Sequence, residues 1–327
     1  MPYAKRSTLP WTITDGRAGN VRQAVALASA LASALGLGGQ QRLQLRPQAP
    51  WRWLAPRLLP GAARGFGPQF AQLAGNPPEL AIGCGRQAAG ALRVLGQRGT
   101  RTVQILDPRI APRHWDLLVV PEHDRLRAGN VLTLLGSLNP VSDDWLAWGR
   151  AAFSSFEQLP GPRTALLVGG PTDHAPWQDS EIQPLFQQLA ARIRAEGGSV
   201  LATTSRRTPR AATAALLRAF DDVPGVIWAD GGDGSNPYAG LLGWADRIVC
   251  TPDSVNLLSE ACATRVPVGV LLGCRAQARM AHFQQALRER GRLLDGLAAL
   301  DADPQQPVEP LRETTRIAAE VKLRLGL

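Results

Sequence analysis

One stretch of the chain, TPDSVNLLSEA from Thr251 to Ala261, has polar side chains at a spacing that could bind a nucleotide. Asp253 and Ser254 stand where a helix begins, and such a start binds phosphate because open N–H groups and the helix dipole point at the ligand. Glu260 follows Asp253 by seven residues, about two helical turns, and so shares its helix face. The stretch could hold a diphosphate at its tip and a hydroxylated ring at Glu260. The alternative is an ordinary capped helix whose Glu260 faces solvent.

A second anion-binding pattern is TTSRRTP, from Thr203 to Pro209. Arg206 and Arg207 stand beside hydroxyl side chains at an expected strand-to-helix turn, and guanidinium groups bind phosphate oxygens in pairs. A solvated turn would have the same sequence, so both interpretations stay open. Gly169-Gly170, in GGPT after another expected strand, would let the backbone approach a ligand closely.

Two groups in the first half of the chain could act as a general base. Asp15, in DGRAGN after the first expected strand, would ordinarily ionise near ~3.9 and needs burial to become a useful base. His123, in PEHD at another strand end, starts near ~6.5, and Asp124 could hold its tautomer. A bystander histidine and a plain βα turn are the alternatives, so neither candidate is preferred strongly.

Strands and helices alternate along the whole chain, which is typical of α/β sheets with a ligand crevice at the carboxyl ends of the strands. We therefore expect two doubly wound Rossmann-like domains that face one another across a cleft. Pro160-Gly161-Pro162 marks the expected boundary between residues 1–160 and 161–327. The last helix, Glu309–Leu325, could cross back to the first domain. The expected strands are Pro10–Thr14, Gln40–Leu45, Leu80–Gly83, Arg101–Leu106, Asp116–Val120, Val131–Leu135, Thr164–Val168, Ser199–Thr203, Gly225–Trp228, Arg247–Thr251 and Val268–Leu272.

Composition limits the class of protein. With 45% hydrophobic and 19% charged residues, the chain is expected to be globular. It has neither an 18-residue apolar run nor an apolar N-terminal segment, so we expect a cytoplasmic protein without a transmembrane helix. The four scattered cysteines predict reduced core thiols. Because no regular spacing of metal ligands is present, we expect a metal-independent site without a cofactor.

The net charge of +9 comes almost wholly from arginine, which suits phosphate groups and anionic membrane surfaces. Pro47–Gly67, with Trp51, Trp53 and Leu54 beside arginines, would suit a peripheral contact with the inner face of a membrane. A packed surface loop is the alternative. Because the arginines are spread along the chain without a run that interleaves aromatic residues, we do not expect nucleic-acid binding.

The order of the motifs resembles one family. TDGRAGN, QILDPR, PEHD, LLVGGPT, TTSRRTP, NPY and TPDSVNLLSEA, between Thr14 and about Leu272, are similar to the mitochondrial fission "elongated mitochondria" family. That family in turn resembles glycosyltransferases of the GT-B fold, such as the enzyme that adds N-acetylglucosamine to the peptidoglycan lipid. The resemblance implies a GT-B-like fold and a nucleotide sugar, UDP-linked, as partner.

The resemblance also implies a site. Glu260 would bind the ribose of a UDP-sugar. The other residues implied around the nucleotide are Gly169, Gly170, Thr172, Ser205, Arg206, Arg207, Asn236, Tyr238, Asp253, Ser254 and Val255. The first domain would receive the acceptor, beside Gly16, Gly19, Asn20, Asp107 and Arg109.

One departure from that pattern concerns the base. The peptidoglycan enzyme has a GTGGH turn after its first strand, and its histidine is a candidate base. Here the turn ends in Asn20, which cannot act as a base at neutral pH, so the role passes to Asp15 or His123 or is absent. The expected function is therefore a nucleotide-sugar-dependent glycosyltransferase acting on a cell-envelope or lipid-linked acceptor. The alternative is a non-catalytic GT-B-like scaffold or recruiting protein at a membrane, because the plant member of the family resembles a recruiting factor.

Overall fold

The computed structural model describes residues 7–229, 231–303 and 308–327. The chain forms two compact units, one ending at Pro140 but including the last helix from Glu313, the other spanning Val141–Arg312. No helix within the described ranges is long and apolar enough to cross a membrane.

The first unit is built on a six-stranded parallel sheet. Its strands are β1 Trp11–Thr14, β2 Gln41–Gln44, β3 Leu80–Cys84, β4 Arg101–Ile105, β5 Leu117–Pro121 and β6 Val131–Leu134. Their order in the sheet is β2-β1-β3-β4-β5-β6. The helices that precede Pro140 are α1 Ala18–Ala34, α2 Trp51–Leu54, α3 Ala62–Gly65, α4 Pro68–Leu73 and α5 Arg86–Gly96.

The second unit repeats this plan. Its strands are β7 Arg163–Val168, β8 Ser199–Thr204, β9 Gly225–Trp228, β10 Arg247–Cys250, β11 Val268–Val270 and β12 Leu294–Asp295. All six are parallel, in the order β12-β11-β10-β7-β8-β9. The chain runs from β7 through β8 to β9 at one edge of the sheet, and then from β10 through β11 to β12 at the opposite edge. The helices are α6 Asp143–Ala152, α7 Asp179–Ala195, α8 Arg210–Ala219, α9 Tyr238–Trp244, α10 Val255–Cys262 and α11 Ala278–Glu289.

The last helix, α12 Glu313–Leu325, returns to the first unit. Ile317 and Val321 are fully buried there, in a cluster with Leu27 and Leu31 of α1. Glu313 begins the helix and also accepts a hydrogen bond from the backbone N–H of Leu135 at 2.9 Å. The helix thus begins four residues later than the predicted start at Glu309, after Pro310 and Leu311.

The fold class predicted from the sequence is confirmed, since both sheets are parallel and doubly wound with helices between the strands. The short strands β3 and β5 are buried along their whole length, which explains their continuous apolar sequence. The two-residue β12 was not predicted because it is too short to give a hydrophobic pattern. Cys84, Cys250 and Cys262 are buried as expected, whereas Cys274 is exposed and corrects the prediction of four core thiols.

The division between the units differs from the predicted boundary at Pro160–Pro162, because α6 belongs to the second unit. Helix α6 packs against α9 so closely that a Cβ at Gly149 would lie 2.3 Å from the carbonyl oxygen of Ala239. The Pro160-Gly161-Pro162 segment therefore lies within the second unit and does not separate the two units.

Candidate functional site

The second sheet has a topological switch point between β7 and β10. These strands are neighbours, yet the chain leaves β7 toward β8 and leaves β10 toward β11. In such sheets a crevice opens outside the carboxyl ends of the two strands and is the usual ligand site. Gly169 and Gly170 follow β7 at this point, and Thr251 and Asp253 follow β10.

The two turns are joined by hydrogen bonds to glycine N–H groups. Gly169 N donates to Thr251 Oγ1 at 2.8 Å, and Gly170 N donates to Asp253 Oδ2 at 2.9 Å. A Cβ at Gly169 would lie 2.1 Å from Asp253 Oδ2, and one at Gly170 would lie 2.1 Å from the carbonyl oxygen of Arg207. Glycine is required at both positions because side chains and backbone of the neighbouring turns approach them so closely.

The carboxylate of Asp253 is fully buried and is held by protein donors. Besides Gly170 N, Trp177 Nε1 donates to it at 3.2 Å and Arg207 Nη2 pairs with it at 3.3 Å. A phosphate in direct contact with this carboxylate would be repelled. Asp253, predicted to lie beside a diphosphate, therefore acts here as a positioning residue for Arg207 and for the glycine turn.

Arg206 and Arg207 lie in a turn fixed by hydroxyl groups. Thr208 Oγ1 accepts from Ser205 N at 2.9 Å and donates to the carbonyl of Gly169 at 2.5 Å. The guanidinium of Arg207 is half exposed and also approaches the carbonyl of Gly170 at 3.4 Å. Arg206 is exposed, and within the described residues its guanidinium has no recorded partner. The turn thus presents one guanidinium held by Asp253 and one available to an anion.

Helix α10 begins as the sequence predicts. Ser254 is its N-cap, and its hydroxyl accepts a hydrogen bond from Leu257 N at 3.3 Å. Val255 is the first helical residue, and both it and Ser254 are partly exposed. Asp253 precedes the cap, so Ser254 alone caps the helix.

Glu260 is 1% exposed, so the alternative that it faces solvent is wrong. The hydroxyl of Tyr238, the first residue of α9, donates to Glu260 Oε2 at 2.5 Å. Asn236 in turn accepts from Tyr238 N at 2.9 Å through its Oδ1. The fold therefore brings together three predicted site residues from two separate motifs, NPY and SEA.

The loop after β7 forms a shallow cavity of about 370 Å³. Thr172 lines it, and the hydroxyl of that residue is buried without a hydrogen-bond partner among the described residues. An ion pair between Glu181 and Arg275 closes one side, and hydrogen bonding to Arg275 lowers the pKa of Glu181. The other lining residues are Pro171, Asp173, Pro176, Trp177 and Gln178.

The first sheet has its own switch point, between β1 and β3. Asp15, after β1, accepts from Asn20 Nδ2 at 2.9 Å and from Arg17 N at 3.1 Å. Asn20 Oδ1 accepts in turn from the thiol of Cys84 at 3.6 Å. Burial, and the nearby Asp15 charge, raise the pKa of that thiol far above its usual range. Asn20 therefore joins the two strand ends, and Cys84 is kept protonated and cannot act as a nucleophile.

The remaining predicted residues of the first unit follow other strand ends. Asp107 accepts from Arg109 N at 2.7 Å and pairs with the Arg109 guanidinium at 3.4 Å, with Arg109 at a φ of 62°. Gly16 has a φ of 81°, in the region that favours glycine, and Gly19 lies in the first turn of α1. His123 is partly buried in the turn after β5.

Asp15 and His123 follow the ends of different strands of the first sheet. Strands β3 and β4 lie between β1 and β5, so three strand spacings place the carboxyl ends of β1 and β5 about 14 Å apart. The two residues are therefore treated as alternative candidates for the base.

Trp177 and Thr251 were missed by the sequence analysis. Thr251 accepts a hydrogen bond from the N–H of Gly169, and Trp177 donates one to the carboxylate of Asp253. Trp177, at the end of the sequence GGPTDHAPW (Gly169–Trp177), could have indicated a buried acceptor nearby, because a buried indole N–H usually needs one. Across residues 7–229, 231–303 and 308–327, no group of three or more His, Cys, Asp or Glu side chains could hold a metal ion.

Known proteins resemble the chain in fold. The UDP-GlcNAc 2-epimerase from Methanocaldococcus jannaschii has a TM-score of 0.54 and 13% identity, covering 96% of this chain and 100% of that one. MurG from Acinetobacter baumannii has a TM-score of 0.50 and 14% identity, covering 98% and 100%. At such identities the likeness shows the fold alone, which is that of the GT-B class.

Proteins that are similar to this chain in sequence identify its family. Mitochondrial fission protein ELM1 of Arabidopsis thaliana is 30% identical over 279 residues, which are 76% of this chain and 64% of that protein. The chain thus matches less than two thirds of that relative's length. The family model described as Mitochondrial fission ELM1 matches residues 18–325. Because this match spans nearly the whole chain, the protein belongs to the mitochondrial fission ELM1 family.

Proposed function

We propose that this protein is a nucleotide-sugar-dependent glycosyltransferase that acts on a cell-envelope or lipid-linked acceptor, with the nucleotide bound by the second unit. The observation that carries the proposal is the switch point of the second sheet, where Arg207 contacts both Gly170 and Asp253. A buried carboxylate that fixes a half-exposed guanidinium at a strand-end crevice is suited to anion binding. UDP-GlcNAc 2-epimerase, a structure of similar fold, supports a UDP-sugar as the ligand.

The diphosphate would lie against Arg206, Arg207 and the start of α10. Arg206 offers an exposed guanidinium, and Arg207 is oriented by Asp253. The partly exposed start of α10 adds backbone N–H groups and the positive end of the helix dipole. These groups would stabilise the charge on a departing nucleoside diphosphate without a metal ion.

The ribose would bind at Glu260. A carboxylate there can accept from ribose hydroxyls, but the hydroxyl of Tyr238 already donates to Oε2. A ribose hydroxyl must therefore replace the tyrosine hydroxyl or donate alongside it. Tyr238 is partly exposed, so a ligand can reach part of this side chain.

The chemical step would use one base, for which Asp15 and His123 are the candidates. The base takes the proton of the acceptor hydroxyl, and the acceptor oxygen forms a bond to the anomeric carbon. The bond between that carbon and the diphosphate oxygen breaks, and the nucleoside diphosphate leaves with the electron pair. Asp15 accepts from Asn20 and Arg17 through Oδ1, which orients the carboxylate and leaves Oδ2 as the oxygen that would take the proton.

A non-catalytic scaffold is the second candidate function. The observation that favours it is that Asp253 and Glu260 both have protein donors on their carboxylates. The relative named for mitochondrial fission also fits such a function.

A thermal-shift screen with nucleoside diphosphates and nucleotide sugars tests the proposal. A ligand at 100 times its Kd should stabilise the folded protein by about 2.7 kcal/mol. Stabilisation by uridine nucleotides together with sugar turnover on a lipid acceptor is the expected result. Stabilisation without turnover would favour the scaffold, and no stabilisation by any nucleotide would contradict the proposed nucleotide binding.

A further inference from the structure

One part of the first unit carries positively charged side chains but no negatively charged ones. Between Gly16 and Pro78 the sequence contains no Asp or Glu. The same interval contains seven arginines, which are Arg17, Arg22, Arg42, Arg46, Arg52, Arg57 and Arg64. Because the whole chain has a net charge of +9, most of the excess comes from this interval.

The segment 47–73, which includes α2, α3 and α4, is firmly attached to the sheet. Phe66 and Phe70 are buried in the core of the first unit, and Trp51 packs against the same cluster. A Cβ at Gly65 would lie 2.3 Å from the Trp51 ring, so the indole lies directly on the glycine. Gln87 Nε2 donates to the carbonyl of Arg52 at 2.6 Å, which fixes the backbone of α2.

Apolar side chains nevertheless point outward from this fixed segment. Trp53 is 63% exposed, Leu54 is 39% exposed and Leu59 is 37% exposed. They are three of the eight large hydrophobic side chains exposed in the described residues. Because the backbone is anchored through Trp51, the exposure of Trp53 follows from the fold and not from a loose loop.

The same segment also carries exposed cationic groups. Arg52, Arg57 and Arg64 are exposed, and the guanidinium of Arg52 lies 5.7 Å from the ring centroid of Trp53. Among the described residues no carboxylate pairs with any of these three arginines. We name the surface formed by Arg52, Trp53, Leu54, Arg57, Leu59 and Arg64 the Trp53 patch.

We propose that the Trp53 patch docks the protein on an anionic lipid surface. Tryptophan and leucine side chains enter the boundary between headgroups and acyl chains, while arginine binds the phosphate groups above it. The charge complementarity favours a lipid surface over a protein partner, because the exposed apolar side chains are few and the segment carries arginines but no Asp or Glu. This inference does not depend on glycosyl transfer, since a scaffold would dock in the same way.

A vesicle co-sedimentation experiment tests the docking. The full chain is mixed with vesicles of phosphatidylcholine, or of phosphatidylcholine with phosphatidylglycerol. We expect binding to the anionic vesicles only, and loss of binding at about 1 M salt, where the Debye length is about 3 Å. Trp53→Ser should weaken binding about tenfold, and Arg52→Glu with Arg57→Glu should weaken it by about 25-fold or more.

Matched controls come from the second unit. Trp148 is 59% exposed but lies in α6 with Asp143 and Asp144, so Trp148→Ser should leave vesicle binding unchanged. Arg218→Glu makes the same kind of charge reversal at one exposed arginine of α8 and should have a small effect. All of these substitutions are at exposed side chains, and circular dichroism would verify that each variant is folded.

Equal binding to neutral vesicles, binding to neither kind, or equal losses in the control variants would overturn the proposal. Retention of single-stranded RNA through the same residues, without vesicle binding, would assign the patch to nucleic acid and would also overturn it.

Discussion

The hydroxyl of Tyr238 donates a hydrogen bond to the buried carboxylate of Glu260 at 2.5 Å. The two residues are 22 positions apart and belong to different helices, Tyr238 at the start of α9 and Glu260 within α10. The contact links the predicted ribose ligand to a partly exposed tyrosine, so a change at Tyr238 alters the hydrogen bonding of the buried carboxylate.

Tyr238→Phe should lower the free energy of unfolding by about 1.5–3 kcal/mol, because a buried charged acceptor loses one donor. Urea unfolding measures this change. In Glu260→Gln the same tyrosine substitution should cost much less, since the acceptor is no longer charged. Strictly additive losses in the two single variants and the double variant would show that the two side chains do not interact.

Asp253→Ala should reduce the free energy of unfolding by about 2–5 kcal/mol, because it leaves the N–H of Gly170 and the indole N–H of Trp177 buried without an acceptor. Arg207→Ala should cost about 1 kcal/mol or less, since this guanidinium is half exposed and solvent screens the pair. Its effect should fall on anion binding instead. Comparable losses of stability in both variants would contradict this division between a positioning carboxylate and a binding guanidinium.

Cys262 provides a prediction for alkaline pH. Burial raises the pKa of its thiol from 9.0 to about 12, although the charge of Arg292 acts in the opposite direction. The folded state favours the protonated thiol, so this stabilisation is complete below pH 9.0 and is lost as pH rises to about 12. Urea unfolding over that range should show a flatter pH dependence in Cys262→Ala than in the wild type. Parallel curves would exclude a contribution from this thiol.

Asp15 and His123 follow the ends of β1 and β5, which lie about three strand spacings or roughly 14 Å apart, and we expect only one of them to act on a given acceptor hydroxyl. In a transferase assay with a nucleotide sugar that binds and with membrane-lipid acceptors, either Asp15→Asn or His123→Gln should abolish turnover while nucleotide affinity is preserved. The other variant should retain most of the activity. If both substitutions abolish turnover in folded protein, the assignment of a single base is wrong.

The sequence predicts those features that depend on neighbouring residues. Buried strands such as β5 are short apolar runs, and Ser254 caps α10 because its hydroxyl reaches Leu257 three positions later. Helical periodicity predicts that Asp253 and Glu260 lie on the same face of a helix, but it does not tell whether that face is buried or exposed.

Features that depend on distant residues escaped prediction. The donors to Asp253 lie 46, 76 and 83 positions away, so its inward orientation could not be inferred from the local pattern. The same holds for α6, whose packing partner α9 is remote in sequence, so the local pattern at Pro160-Gly161-Pro162 does not locate the division between the units. The roles of the predicted site residues toward a nucleotide stay predictions.

Calorimetric titration of uridine diphosphate into the wild type, Glu260→Ala and Arg206→Ala tests nucleotide binding by the second unit most directly. We expect saturable binding to the wild type. Each charge-assisted hydrogen bond contributes about 1.5–3 kcal/mol, so Glu260→Ala should weaken binding at least about tenfold. Arg206→Ala should also weaken binding, whereas the remote control Arg218→Ala should not. Absence of binding to the folded wild type, or an unchanged affinity in both Glu260→Ala and Arg206→Ala, would contradict the assignment.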